Sequence, residues 1–233
     1  IIKHSRDMIT MLGKFSPTST SKFGLLDVEH FFMSGESYVL AKLVSSLFDE
    51  NLELKSLIYD ATFFLLDNQY VKDRVTGSTY KVVVGSGMGL PHSCAIAGAA
   101  ILAGAELSLC RRLSEFKIDM YCRFKDDILV LFHDSKLFEK FVRELCVGHP
   151  FAIKCESISS EYVRFLEVSI SVSDGMFVVR PEDKPSKLNV PMLSQKTMER
   201  ERRKISTVLQ SVRRLTMAIH ILLPSSIVIL YIP

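Results

Sequence analysis

Three aspartates stand where carboxylates could act together in metal-assisted phosphoryl transfer. Asp27 lies near the end of a short apolar run, KFGLLDV (residues 22–28), which has the pattern of a strand. Asp126 and Asp127 lie at the tip of a predicted β-hairpin, residues 119–132, between two β-rich arms. Mg²⁺ binds a few carboxylate oxygens together with water and substrate phosphates, and two ions about 4 Å apart can serve phosphoryl transfer. Carboxylates brought from two strands onto one sheet surface would suit that chemistry.

Each carboxylate taken alone also has a structural explanation. An Asp–Asp pair in a hairpin commonly serves the turn, and Asp27 could be a solvent-facing strand end. Neighbouring residues on an extended chain point to opposite sides, so we expect only one of Asp126 and Asp127 to face metal ions fully. The flanking sequences YCRF and ILVLF make this Asp–Asp pair much less common than Asp–Asp itself.

The elements that must position these carboxylates follow from the apolar spacing. One or two helices are predicted over residues 38–66, a hairpin over 71–75 and 80–84, and a further hairpin over 165–172 and 176–180. The glycine-dense turn GSGMG (residues 85–89) runs into Pro91, which suits the first turn of a helix of small residues. Ser135 is the predicted N-cap of a helix over 136–145.

This order predicts an α+β fold, a split βαβ antiparallel sheet with helices on one face. A boundary near residue 180 separates this body (1–180) from a C-terminal part (181–233). Residues 196–214 hold seven basic and two acidic residues, a local charge of +5 that leaves −2 for the rest of the 233-residue chain. That segment could contact a polyanion or be a solvated helix face. The apolar tail, residues 215–233, is interrupted by Pro224, so a buried helix is expected rather than a membrane span.

Composition limits the class of protein. Hydrophobic residues make up 48% and charged residues 24% of the chain, which excludes disordered, collagen-like and coiled-coil proteins. The five cysteines form no C-x-x-C pair, so neither a zinc site nor a disulfide framework is expected, and a reducing compartment is favoured. The chain opens on Ile1 without a signal-peptide pattern.

Four segments, in order, resemble the motifs of reverse transcriptases. FGLLDVEHFF resembles the first palm motif, GSGMGLPHSCAIAG the G-x-x-M-G-x-P motif, YCRFKDDILVLF the aromatic-x-Asp-Asp motif, and VRFLEVSIS the strand of the primer grip. The match runs over residues 23–214 and is most similar to Penelope-like retroelements, which are related to telomerase catalytic subunits. It implies a polymerase palm over 1–180, with a remnant of the fingers at its start, and a thumb-like basic helical region with a hydrophobic tail over 181–233.

The resemblance implies a role for particular residues. Asp27 and Asp126 would bind two Mg²⁺ ions (Mn²⁺ being a possible substitute), with Asp127 a lesser ligand and the Val28 carbonyl completing one shell. Phe32 would lie under the nucleotide sugar and exclude a 2′-hydroxyl, although Phe31 and Phe32 could each be a core residue. The remaining implied nucleotide contacts are Gly85, Gly87, Met88, Gly89 and Lys154, the last as a candidate proton donor to pyrophosphate. The implied duplex contacts are Arg202, Arg203, Lys204, Gln210, Arg213 and Arg214.

The implied partners are an RNA or DNA template, a DNA primer and deoxynucleoside triphosphates, with no small-molecule cofactor and no membrane. Only 26 residues precede Asp27, too few for the fingers of this family, so we expect a piece of a longer polyprotein or a decaying genomic copy. The family's need to reach chromosomal DNA implies an intracellular, nuclear location. Two functions stay open: an RNA-directed DNA polymerase, or an inactive remnant or domesticated nucleic-acid-binding module with the same fold.

Overall fold

The computed structural model describes residues 1–182. The predicted thumb-like region therefore lies outside the described residues, apart from 181 and 182, and so do its six duplex-contact residues and its apolar tail. The helices are α1 (Ser5–Leu12), α2 (Ser37–Ser46), α3 (Leu52–Asp67), α4 (Ser93–Ile101), α5 (Leu107–Leu109) and α6 (Ser135–Leu145). A π-helical turn (Leu102–Glu106) joins α4 to α5, and a 3₁₀ segment (Cys110–Phe116) follows α5. The strands are β1 (Lys22–Glu29), β2 (Tyr70–Lys72), β3 (Thr79–Lys81), β4 (Ile118–Phe124), β5 (Asp127–Phe132), β6 (Ala152–Ser159), β7 (Tyr162–Phe165), β8 (Val168–Ser173) and β9 (Met176–Pro181).

The main sheet has four antiparallel strands in the order β4-β5-β1-β6. Its strands come from two halves of the chain, with helices between β1 and β4 and again between β5 and β6. This is the split βαβ arrangement, and the predicted α+β class is confirmed. Strand β1 lies between β5 and β6, so the end of β1 has a neighbour on each side.

The two faces of the main sheet are covered differently. Leu26, Val28 and Val130 pack on one face in a core shared with α2, α3, α4 and α6. On the other face Phe23, Leu129 and Leu131 pack against α1 and a second sheet, β7-β8-β9. The prediction of helices on one face alone is therefore wrong, because α1 and a three-stranded sheet bury the opposite face.

Helix α6 shows how local sequence and packing agree. Phe138, Phe141 and Leu145 form its buried stripe. Its N-cap is Asp134, whose carboxylate accepts hydrogen bonds from the backbone N–H groups of residues 136 and 137, so the assignment of the cap to Ser135 is wrong by one residue.

Other boundaries also differ from those predicted. Strand β6 is missing from the prediction because only Ile153 in it is fully buried, so no clear alternation marks it. The predicted strand over 165–172 is interrupted by a tight turn, in which Leu166 has a φ of 55°. Strands β2 and β3 are shorter than predicted, and α4 begins at Ser93, so Pro91 precedes the helix.

Within residues 1–182 one helical run, Ser93–Phe116, is long and apolar enough to cross a membrane by length and composition. Half of its most apolar window is buried inside the protein. Ala97, Ala100 and Ile101 of this run belong to the main core.

Candidate active site

Asp27 and Asp126 approach each other at the end of β1 that lies beside the β4–β5 turn. Asp27 pairs with Asp127 on β5, and directly opposite residues on antiparallel strands have Cα atoms about 4.5–5.5 Å apart. Asp126 occupies the turn between β4 and β5, and its backbone carbonyl accepts a hydrogen bond from the Val28 N–H at 3.0 Å. The three aspartates named by the sequence are therefore brought to one place, with Asp27 and Asp126 half-buried and Asp127 exposed.

The electrostatics of Asp27 reflect this crowding. Burial is the largest cause that raises the pKa of Asp27, and the charges of Asp126 and Glu29 raise it further. Two carboxylates that repel each other in this way favour binding of a cation between them. In the part of the chain that the structure describes, no group of three or more His, Cys, Asp or Glu residues could hold a metal ion. Asp27 and Asp126 offer carboxylate oxygens, the type of donor that Mg²⁺ takes from proteins together with water and substrate phosphates.

Lys154 lies on the other side of Asp27. It pairs with Asp27 across β1 and β6, and its positive charge lowers the pKa of Asp27, opposing the larger effects of burial and Asp126. The Lys154 side chain is exposed. The sequence placed this lysine ahead of a later strand, and only the pairing of β6 with β1 brings it beside the carboxylates.

Phe32, which follows β1 in the chain, is joined to the glycine turn through backbone hydrogen bonds. The Phe32 carbonyl accepts hydrogen bonds from the N–H groups of Ser86 (3.0 Å) and Gly87 (3.2 Å). Phe31 is 3% exposed and packs in the main core, whereas Phe32 is only partly buried. Phe32 also packs against this core and against the Phe31 ring, and it is the more exposed of the two aromatics.

The glycines of this turn are required for different reasons. A Cβ at Gly85 would lie 2.3 Å from the Phe32 carbonyl oxygen, and one at Gly87 would lie 2.2 Å from Oε1 of Gln69. Both glycines also have positive φ, 85° and 80°. Packing and backbone conformation within the protein thus explain why glycine stands at positions 85 and 87. Gly89 also has positive φ but open space around it, and Met88 beside it is 78% exposed, so these two residues border solvent where a ligand could approach.

Ser93 and the pair Glu106–Arg123 support the site and were absent from the sequence prediction. The Ser93 hydroxyl donates to the carbonyls of Ser86 and Gly87, fixing the glycine turn to the start of α4. Glu106 and Arg123, each 1% exposed, form an ion pair in which Arg123 Nε donates to Glu106 Oε1 at 2.6 Å. A sequence signal exists for Glu106, which is the single charged residue in the apolar and small-residue run of residues 93–109.

Comparison with known proteins rests on structure. No protein-family model matches the chain, and no curated protein matches its sequence. The chain superimposes on apo telomerase from Candida tropicalis with a TM-score of 0.54 and 13% identity, over 78% of this chain and 40% of that one. It also matches telomerase from Candida albicans in complex with a TWJ fragment of telomeric RNA, with a TM-score of 0.52 and 14% identity, over 86% and 37% of the two chains.

These matches define the class of fold. Over the matched residues, the chain shares its fold with these two telomerase structures. It spans about two fifths of the length of the solved structures it matches.

Proposed function

We propose that this chain carries the catalytic carboxylates of a reverse transcriptase, an RNA-directed DNA polymerase that adds deoxynucleotides to a primer 3′-hydroxyl. The observation that carries the proposal is the meeting of Asp27 and Asp126 at the end of the central strand, where the charge of one raises the pKa of the other. The polymerase-like fold supports it. The four sequence motifs favour a retroelement of the Penelope-like group as the source, within a longer polyprotein that acts in the nucleus.

The carboxylates of Asp27 and Asp126 would hold two Mg²⁺ ions, or Mn²⁺ in their place. Asp127 would be a lesser ligand, and the Val28 carbonyl would complete the shell of one ion. When bound, the ions supply acidification of the attacking hydroxyl and stabilisation of the departing pyrophosphate. Lys154, exposed beside Asp27, is the proposed proton donor to that pyrophosphate.

The proposed substrates are an RNA or DNA template, a DNA primer and deoxynucleoside triphosphates. Phe32, fixed through its backbone to the glycine turn, would exclude ribonucleotides because its ring leaves no room for a 2′-hydroxyl. The proposed contacts of the basic segment with duplex phosphates would carry no sequence information, so the template would select the base by pairing.

The test is primer extension on an RNA template with Mg²⁺, comparing the wild-type chain with Asp126→Asn. Metal stabilisation of a transferring phosphoryl group is worth several kcal/mol, and about 1.4 kcal/mol is tenfold in rate, so Asp126→Asn is expected to lower extension at least about a hundredfold. Asp60→Asn, which alters an exposed carboxylate on α3, is the matched control and is expected to leave extension unchanged.

Equal extension by wild-type protein and Asp126→Asn would contradict the assigned site. If the folded wild-type chain binds primer–template duplex but does not extend the primer, the result would favour the other candidate function, a non-catalytic nucleic-acid-binding module.

A further inference from the structure

The most deeply buried charges near the site are not the aspartates but Arg123 and Glu106, each 1% exposed. Arg123 is the largest side chain among those less than 2% exposed, and it lies on β4 three residues before Asp126. Arginine is almost never fully buried unless it is paired, and a buried ion pair is often no more stabilising than apolar residues of the same volume. Stability alone is therefore a weak reason for an arginine here.

All three guanidinium nitrogens of Arg123 donate hydrogen bonds. Nε and Nη2 bind the two carboxylate oxygens of Glu106 at 2.6 and 2.7 Å, the bidentate geometry that a planar guanidinium provides and a lysine ammonium does not. Nη2 also donates to the Gly98 carbonyl at 2.9 Å. Nη1 donates to the Lys125 carbonyl, again at 2.9 Å.

This last bond reaches the turn that carries Asp126. Lys125 has a φ of 57°, a left-handed conformation that is costly for a residue other than glycine and persists only where the surroundings impose it. Arg123 fixes the carbonyl of Lys125, and the Val28 N–H fixes the carbonyl of Asp126. The backbone of Asp126 is thus held on both sides, from the core by Arg123 and from β1 by Val28.

Glu106 holds the guanidinium of Arg123 in place. It ends the π-helical turn, which interrupts the long helical run, and such turns occur often at functional sites. Gly104 in the same turn packs so closely on the backbone of Gly148 that a Cβ there would lie 2.8 Å from the Gly148 carbonyl oxygen. The Tyr121 hydroxyl donates a further hydrogen bond to Glu106 Oε1 at 2.5 Å. Glu106 is therefore itself fixed, and can fix Arg123.

We infer that Arg123, oriented by Glu106, is a positioning residue that sets the Asp126 carboxylate against Asp27 for metal binding. The inference rests on the proposed function, because it assigns Asp126 to the metal site. Arg123 acts only through the backbone of the turn, since its donors are all directed to Glu106, Gly98 and Lys125.

The test measures Mn²⁺ binding to the full chain by electron paramagnetic resonance, without substrate, alongside the Mg²⁺ concentration that half-saturates primer extension. Arg123→Lys keeps the positive charge but cannot donate the bidentate pair of hydrogen bonds to Glu106. Loss of a residue that orients a metal ligand typically weakens metal binding by about 10–100-fold, so Arg123→Lys is expected to weaken Mn²⁺ binding by about tenfold or more. It should raise the half-saturating Mg²⁺ concentration similarly, with extension partly restored at high Mg²⁺. Arg112→Lys, which alters an exposed pair with Glu115, is the matched control and should change neither.

A second variant separates positioning from stability. The triple replacement Glu106→Leu, Tyr121→Phe and Arg123→Met removes the whole polar cluster at similar volume, a change that commonly preserves stability. We expect this variant to fold, as measured by thermal unfolding, and to bind Mn²⁺ about tenfold or more weakly than wild type.

Wild-type Mn²⁺ affinity in folded Arg123→Lys or in the folded triple variant would overturn the inference. So would a wild-type chain that binds no more Mn²⁺ than Asp126→Asn. If Mn²⁺ binding depends on both Asp126 and Arg123 while the wild-type chain extends no primer, the inference stands and the polymerase proposal fails.

Discussion

Replacing Gly24 by alanine is expected to destabilise the fold by forcing helix α6 away from the central strand. A Cβ at Gly24 would lie 2.5 Å from Cζ of Phe138, with two further ring carbons at 3.0 and 3.3 Å. Non-bonded carbon atoms prefer about 3.5–4.0 Å, so the ring would have to move by about 1 Å. Phe138 is 1% exposed and stacks on Phe132 with ring centroids 4.0 Å apart, which leaves the ring no free space on that side.

Two opposing effects set the size of the change. Gly→Ala at an unstrained position stabilises a protein by about 0.4–1 kcal/mol through the unfolded state, and φ at Gly24 is not positive. Overpacking a tight core costs about 1–3 kcal/mol. The steric cost is expected to win, with a net loss of about 1–2 kcal/mol and a Tm lower by roughly 2–8 °C, measured by urea and thermal unfolding.

The cause can be checked with Phe138→Leu, which removes the ring atoms that clash. The double variant is expected to lose less stability than the sum of the single variants, by about 1 kcal/mol. Gly13→Ala is the matched control, because Gly13 has an α-helical φ of −62° and its nearest contact to a Cβ would be 3.5 Å. A Gly24→Ala protein as stable as wild type, or additive effects in the double variant, would refute the reasoning.

Two further predictions concern the candidate site. Burial and the charge of Asp126 raise the pKa of Asp27, so ionising Asp27 opposes folding as pH rises from its ordinary pKa of 3.8 through the raised value. Asp27→Asn is therefore expected to be more stable than wild type at pH 7, with the difference fading below pH 3.8, as followed by urea unfolding across pH; an unchanged difference would show that charge is not the cause. Phe32→Ala is expected to raise ribonucleotide relative to deoxynucleotide incorporation about tenfold or more in single-nucleotide kinetics, the scale of a steric pocket change. Phe31, the buried neighbour, provides the control, since Phe31→Leu should lower stability without altering sugar selection. Altered sugar selection in Phe31→Leu but not in Phe32→Ala would exchange the roles of the two rings.

Much of the site was predictable because its parts are local. The strand ending near Asp27, the hairpin turn at Asp126 and the glycine turn each have a pattern of apolar alternation and turn residues that is complete within about ten residues. Such patterns also predicted the α+β class. They failed at β6, whose residues are mostly exposed and show no alternation. They also failed at the start of α6, where Asp134 and Ser135 are adjacent and either residue type can be an N-cap.

The sequence by itself thus identified the three aspartates as candidate site residues and predicted the strand and hairpin turn that carry them. The order of its four motifs also carried the resemblance to reverse transcriptases. Only the tertiary structure decided that Lys154 lies beside Asp27, and that Phe31 is buried in the core while Phe32 is only partly buried against it. It also decided that Arg123 pairs with Glu106, which lies 17 positions earlier in the chain. These are pairings between elements distant in sequence. They depend on strand order and on how closely helices approach the sheet, which no local pattern of residues contains.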